Sequence, residues 1–126
     1  MEDIIRTTFL AAVKAYNKYD WPAVGSFLDD NVILKLPDSS RAPIYGKSNV
    51  LHYLIGEAID KPTFDPEPYK KIISHDVDDE IGYITHLGTW VDDNHEIRNI
   101  HYAFAFINRG TKENPNWKMV LMWSNN

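Results

Sequence analysis

The stretch between Glu80 and Asn108 constrains the fold more than any other part of the chain. Two runs rich in β-branched and aromatic residues flank Asp93-Asn94, a pair typical of a turn, so we expect a long antiparallel hairpin. If Asp93 and Asn94 form a two-residue turn, the opposed pairs are Trp90–Ile97, Gly88–Asn99, His86–His101 and Ile84–Ala103. This register would place two histidines side by side. In the alternative, a bulge in the hairpin would shift His101 to the outer face and bring Tyr102 inward, since a slip of one residue exchanges the faces.

Alternation along the strands then divides the hairpin into two unlike faces. One face mixes small and polar residues, namely Ile84, His86, Gly88, Trp90, Asn99, His101, Ala103 and Ala105. The other is bulkier, with Leu87, Tyr102, Phe104, Phe106 and, from the last strand, Met122. Small residues leave space, so we predict that the first face lines a cavity. The second face predicts a homodimer, since a second copy would cover its apolar surface.

The rest of the chain predicts an α+β fold. Apolar residues recur at helical spacing over residues 3–18, Asp20 is a cap for a second helix that ends at residues 29–31, and a third helix runs from about 46 to 59. Strands are expected at 32–36, 69–77 and 117–124 in addition to the hairpin. Together these elements predict one domain over residues 1–126, a cone-shaped curved antiparallel or mixed sheet packed against three N-terminal helices and enclosing a pocket.

The composition of the chain disfavours several classes of partner and chemistry. The net charge of -5 disfavours nucleic acid and anionic membranes as partners, and the absence of cysteine excludes disulfides and thiolate chemistry. No apolar run approaches the roughly 20 residues that span a bilayer, and no signal segment is visible, so we expect a cytoplasmic protein.

Three local signatures carry a family resemblance, and they are YDWPAVGSFLDDNVILKLP, APIYG and the closing MWS. In this order the chain resembles the nuclear transport factor 2-like superfamily, in particular its SnoaL and ketosteroid isomerase-like branch. The resemblance implies a cone-shaped fold with a deep apolar pocket and frequent dimerisation through the outer sheet face. It places Met119, Leu121 and Trp123 on the ligand side, with Tyr16 and Tyr53 as the phenols nearest the pocket.

The catalytic residues of the family's steroid isomerases are mostly replaced. By resemblance, the carboxylate base falls on Leu36, the first-helix tyrosine on Ala12 and the buried acid on His101. Leucine and alanine neither accept nor donate a proton, so steroid isomerase chemistry by the family mechanism is disfavoured. We therefore expect Leu36 to contact the ligand and to have no catalytic role.

His86 and His101 are the candidate catalytic residues, because imidazole titrates near neutrality and a contacting pair would divide into a base and a donor. The alternative is a pair of partly buried histidines satisfied by neighbours. Asn99 alone lies beside them on this face, so no metal site is predicted. Asp38 and Arg41, at the presumed mouth, are either solvated loop residues or a site for an anionic group.

The sequence leaves two functions open. The first is a protein that binds a small apolar or aromatic molecule, as a cofactor-independent isomerase, cyclase or dehydratase with His86 as base and His101 as donor. The second is a non-catalytic dimeric binding or assembly domain of the same fold.

Overall fold

A computed structural model describes residues 4–36, 41–60, 75–76, 80–91 and 94–125. Residues 60, 75–76, 86–91, 97–101 and 124–125 are described by their backbone alone. Within these ranges three helices pack on one side of a six-stranded mixed sheet that does not close. The predicted α+β class is therefore confirmed. No described helix is long and apolar enough to cross a bilayer.

The helices follow the predicted pattern closely. They are α1 (Ile4–Asn17), α2 (Trp21–Phe27) and α3 (Lys47–Asp60). Asp20 caps α2 as expected, because its carboxylate accepts a hydrogen bond from the Ala23 backbone N–H at 3.2 Å. The prediction that α2 ends at residues 29–31 is wrong: the backbone is already extended at Leu28, where the first strand begins.

The strands are β1 (Leu28–Lys35), β2 (Ile44–Tyr45), β3 (His75–Asp76), β4 (Ile81–Val91), β5 (Ile97–Asn108) and β6 (Trp117–Asn125). Their order across the sheet is β2-β1-β6-β5-β4-β3. β1 and β6 are parallel, and the other pairs are antiparallel, so the sheet is mixed. The predicted strand over 69–77 lies outside the described residues except for β3.

The predicted hairpin register is wrong by one residue. Val91 pairs with Ile97, which leaves an odd number of connecting residues, 92–96, in place of a two-residue turn. His95 in this connection has a left-handed backbone with φ 62°. A left-handed residue at the end of the loop is how odd-length hairpin loops return the chain to the sheet. As a result, the partners of the two histidines are His86–Tyr102 and Leu87–His101.

This shift exchanges the two faces of β5 relative to β4. The helix-facing side holds the apolar core, in which Ile5 and Phe9 of α1 pack with Ile84, Phe104 and Phe106. The Phe9 and Phe104 ring centroids are 4.6 Å apart. The predicted placement of Tyr102, Phe104, Phe106 and Met122 on the outer face is therefore wrong, because all four belong to the core or pack against it.

The outer face of the sheet carries Ala103 and Ala105, which the predicted register had placed on the cavity face. Ala103 and Ala105 pair with Trp123 and Leu121 on β6, and with Thr85 and Tyr83 on β4. Tyr83 is 38% exposed and Thr85 is also exposed, so this side of the sheet faces away from the helices. The two alanines therefore lie on the surface side and not on a cavity wall.

A buried carboxylate ties β1 to the loop after β5. Asp29 is 5% exposed and accepts two hydrogen bonds from Arg109, at 2.7 Å from Nε and 3.1 Å from Nη2. The hydrogen bond from Arg109 holds the pKa of Asp29 below its ordinary value of 3.8. This contact joins residues that are 80 positions apart in sequence.

Candidate functional site

A group of polar side chains from three parts of the fold meets where α1 ends. Tyr53 and Glu57 lie four residues apart on α3, a spacing that places both on one side of the helix. Tyr16 is in the last turn of α1. Arg41 lies just before β2. We call Tyr16, Arg41, Tyr53 and Glu57 the phenol-carboxylate cluster.

Tyr53 is at the centre of this cluster. Side-chain hydrogen bonding with Glu57 raises the pKa of the Tyr53 phenol, and hydrogen bonding with Arg41 lowers it. The side chain of Tyr53 packs against the apolar core, as do those of its α3 neighbours Leu51 and Leu54. Tyr53 therefore joins the core to a polar edge that carries one negatively charged side chain, Glu57, and one positively charged side chain, Arg41.

Burial and the negative charge of Glu57 determine the protonation of the phenols. The pKa of Tyr16 is raised first by burial and then by Glu57, with smaller contributions from Tyr19 and Tyr53. The pKa of Tyr53 is raised by burial and by Glu57, while Arg41 acts in the opposite direction. Both phenols consequently remain protonated at neutral pH and can donate hydrogen bonds.

The structure separates the two predicted catalytic histidines. Position 86 shares the helix-facing side of the sheet with Ile84, whereas position 101 pairs with Leu87 on the other side. The predicted contact between His86 and His101 is therefore wrong. The surroundings of both side chains lie outside the described residues.

The other predicted contact positions fall into four groups. Leu36 and Met119 are core residues, 6% and 3% exposed. Gly88 and Trp90 occupy the helix-facing side of β4 by alternation, and their surroundings are outside the described part of the chain. Asn99, Leu121 and Trp123 occupy the opposite side, so their predicted position in the pocket is wrong. Tyr16 and Tyr53 are the two predicted ligand contacts that the structure brings together.

Comparison with known proteins rests on structure. No family model matches the chain, and no curated protein matches its sequence. A proposed dehydratase from the NTF2-like family of Streptomyces avermitilis has a similar structure, with a TM-score of 0.67 and 12% identity over 96% of this chain and 91% of that one. The chain has the nuclear transport factor 2-like fold.

Other solved structures share the nuclear transport factor 2-like fold while differing in role. A ketosteroid isomerase-like protein from Erwinia carotovora atroseptica gives a TM-score of 0.56 at 16% identity, covering 94% of this chain and 90% of that chain. A proposed calcium/calmodulin-dependent protein kinase type II association domain from Thiobacillus denitrificans gives 0.65 at 13% identity, with the same coverage. At these identities the likeness establishes the fold and leaves the activity open.

Sequence reasoning missed Glu57, whereas Tyr102 was expected on the inner face only in the alternative register. Glu57 lies on α3 and not on a strand face, and its spacing from Tyr53 was a readable signal. Tyr102 was assigned to the wrong face with the rest of β5. It is half-buried and stacks on Phe104 with ring centroids 6.2 Å apart, and burial raises its pKa. Among the described residues, no three His, Asp or Glu side chains converge as metal ligands would.

Proposed function

We propose that this protein binds a small apolar or aromatic molecule between its helices and sheet, and that it moves a proton on that molecule without a cofactor. The observation that carries the proposal is the position of Tyr53, one helical turn from Glu57 on α3, with Arg41 and Tyr16 near enough to be electrostatically coupled to it. An acid, a base and neutral donors within one small volume are the groups that an isomerase, cyclase or dehydratase reaction needs.

Each member of the phenol-carboxylate cluster has a distinct role in this proposal. The Glu57 carboxylate takes a proton from a carbon next to a carbonyl group and returns it to another atom of the same molecule. Tyr16, kept neutral by burial, donates a hydrogen bond to the oxygen on which negative charge develops. Arg41 is exposed and supplies a positive charge for an anionic substituent of the ligand. Glu57 thus replaces the histidine pair as the proton carrier.

The nearby core supports an apolar ligand. Leu51, Leu54 and Tyr53 of α3 are only partly buried where they pack against the core cluster. A ligand that covers them would remove apolar surface from water, at about 25 cal/mol per Å² of area. Two proteins of similar structure, one named ketosteroid isomerase-like and one proposed to be a dehydratase, are compatible with this ligand class.

A non-catalytic, dimeric binding or assembly domain is the second candidate. The outer sheet face favours it, because Tyr45, Ile81 and Tyr83 are 60%, 44% and 38% exposed there. A homodimer through this face would cover them, and such an arrangement suits either function. The similar structure of a proposed calcium/calmodulin-dependent protein kinase type II association domain is compatible with this second function.

Two measurements on one panel test the proposal. The panel comprises hydrophobic enones, steroids, aromatic polyketides and aryl acids. A ligand at about 100 times its dissociation constant adds about 2.7 kcal/mol of stability. For a chain of 126 residues that is a rise in melting temperature of about 10 °C. Exchange of ligand C–H for deuterium, followed by NMR, then reports proton transfer directly.

Glu57→Gln and Tyr53→Phe are the informative variants. Glu57→Gln should slow deuterium exchange by about 100-fold or more while the ligand still binds, because the amide has no basic oxygen pair to accept the proton. Glu113→Gln, in the exposed loop after β5, is the matched control and should leave exchange unchanged. Flat melting curves across the panel, together with melting that depends on protein concentration, would favour the assembly domain instead.

A further inference from the structure

The end of α1 has an unusual residue at the point where the helix stops. Asp20 N–H donates to the Ala15 carbonyl and Tyr19 N–H to the Tyr16 carbonyl, both at 3.0 Å. These two bonds define a Schellman motif, whose left-handed position is usually glycine. Here Tyr19 occupies it with φ 57°. A residue with a Cβ populates this backbone roughly tenfold less than glycine does.

Burial of the Tyr19 side chain does not compensate for this conformation, because the residue is 48% exposed. Its ring lies 6.1 Å from that of Trp21, inclined at 50°. Trp21 in turn contacts Tyr16 edge-on, with centroids 5.7 Å apart and planes at 78°. The rings of Tyr19 and Trp21 therefore form a continuous aromatic surface, which we call the aromatic rim, and it begins at Tyr16.

The aromatic rim and the phenol-carboxylate cluster share one residue. The ring of Tyr16 contacts Trp21 of the aromatic rim. The negative charge of Glu57, in the phenol-carboxylate cluster, raises the pKa of the Tyr16 hydroxyl. Tyr19 is close enough to contribute to the electrostatic environment of the Tyr16 hydroxyl. A planar molecule with its polar end among Tyr53, Glu57 and Arg41 would extend past Tyr16 toward the rim.

We propose that the ring of Tyr19 stacks against the distal rings of the ligand, that Trp21, inclined at 50° to Tyr19, contacts the same rings at an angle, and that the ligand class is planar aromatic acids with two or more fused rings. The proposal rests on the proposed function for the position of the polar end. Strained residues cluster at functional sites, and a half-exposed aromatic held in a glycine conformation fits that pattern. Offset stacking provides selectivity for extended rings, and Arg41 provides selectivity for the carboxylate.

The test is a series of acids that differ in ring number: benzoate, 2-naphthoate and anthracene-2-carboxylate, each titrated by calorimetry. The unmodified protein should bind more tightly with each added ring. Tyr19→Gly should reduce the affinity for anthracene-2-carboxylate about fivefold, since one stacked aromatic pair is lost, and should leave benzoate nearly unchanged. The same variant should melt a few degrees higher, because glycine relieves the left-handed backbone.

Two further variants separate the side chain from the backbone effect. Tyr19→Asn keeps a residue that tolerates the left-handed conformation, and it should lose the same affinity without the flexibility of glycine. Tyr45→Ser removes an exposed tyrosine from β2, on the outer face, and should leave the series unchanged.

The outcomes distinguish this proposal from the proposed function. If the acids bind with dependence on Glu57 and Tyr53, but Tyr19→Gly and Tyr19→Asn retain the full gain per ring, the aromatic rim has no role in binding. If enones or steroids bind and none of the three acids does, the aromatic acid class is wrong while the proposed function stands. Failure of every compound would overturn both.

Discussion

Replacing Phe104 by alanine tests the corrected hairpin register most directly. Phe104 is 6% exposed, packs on Phe9 and stacks with Tyr102. Removing a buried phenylalanine costs about 4 kcal/mol, which includes the cavity left behind. With an unfolding entropy of about 2.1 cal/mol/K per residue, the chain of 126 residues should lose about 15 °C in melting temperature.

The matched control is Tyr83→Ala on the outer side of β4. Tyr83 is 38% exposed, so its truncation should cost about 1.5 kcal/mol, or about 6 °C. Both variants are compared by differential scanning calorimetry at low protein concentration, where a dimer through the outer face would contribute least. Equal losses, or a larger loss from Tyr83→Ala, would show that Phe104 is not in the core and that the register derived from the Val91–Ile97 pair is wrong.

Three further changes have expected outcomes. Because the pKa of Asp29 is depressed, its contribution to stability is present above the unfolded value of 3.8 and is lost as pH falls through the folded value. The unfolding free energies of the unmodified protein and Asp29→Asn, measured by urea titration, should therefore differ at pH 6 and converge below pH 3.8, and a constant gap would contradict this. Asp20→Ala should cost about 1 kcal/mol in the same assay through loss of the α2 cap, whereas no change would mean that the cap is dispensable. Gly110→Ala should destabilise the loop, since an added Cβ would collide with the Asn114 carbonyl oxygen, and a neutral effect would require that loop to move.

Much of the fold was predictable because the signals are local. The apolar stripe of α1, the Asp20 cap and the apolar stripe of α3 are each contained within a few turns, where the period of the helix determines which residues are buried. The hairpin was also predictable as an element, from β-branched and aromatic runs on both sides of a turn. Its register was not, because one additional connecting residue exchanges every side chain between faces, and residue type alone does not specify loop length.

The residues of the candidate site likewise divide into those that could be predicted from the sequence and those that could not. Resemblance to a known fold predicted Tyr16 and Tyr53 as the phenols nearest a pocket, and their contact with a ligand stays a prediction. Glu57 and its hydrogen bond with Tyr53 could have been inferred from their spacing on α3. The addition of Arg41 and Tyr16 to that pair could not, because they come from a loop and from another helix. The predicted contact between the two histidines was wrong because the predicted hairpin register was wrong.

By itself, the sequence determined the three helices with their apolar stripes, the presence of the hairpin and the fold class, because periodicity and capping act over short distances along the chain. The tertiary structure alone decided which face of β5 is buried, that Asp29 meets Arg109, and that Glu57 lies near enough to Tyr16 to raise its pKa. These contacts depend on loop lengths and on the packing of distant segments. A one-residue difference in a turn is therefore enough to change which side chains meet.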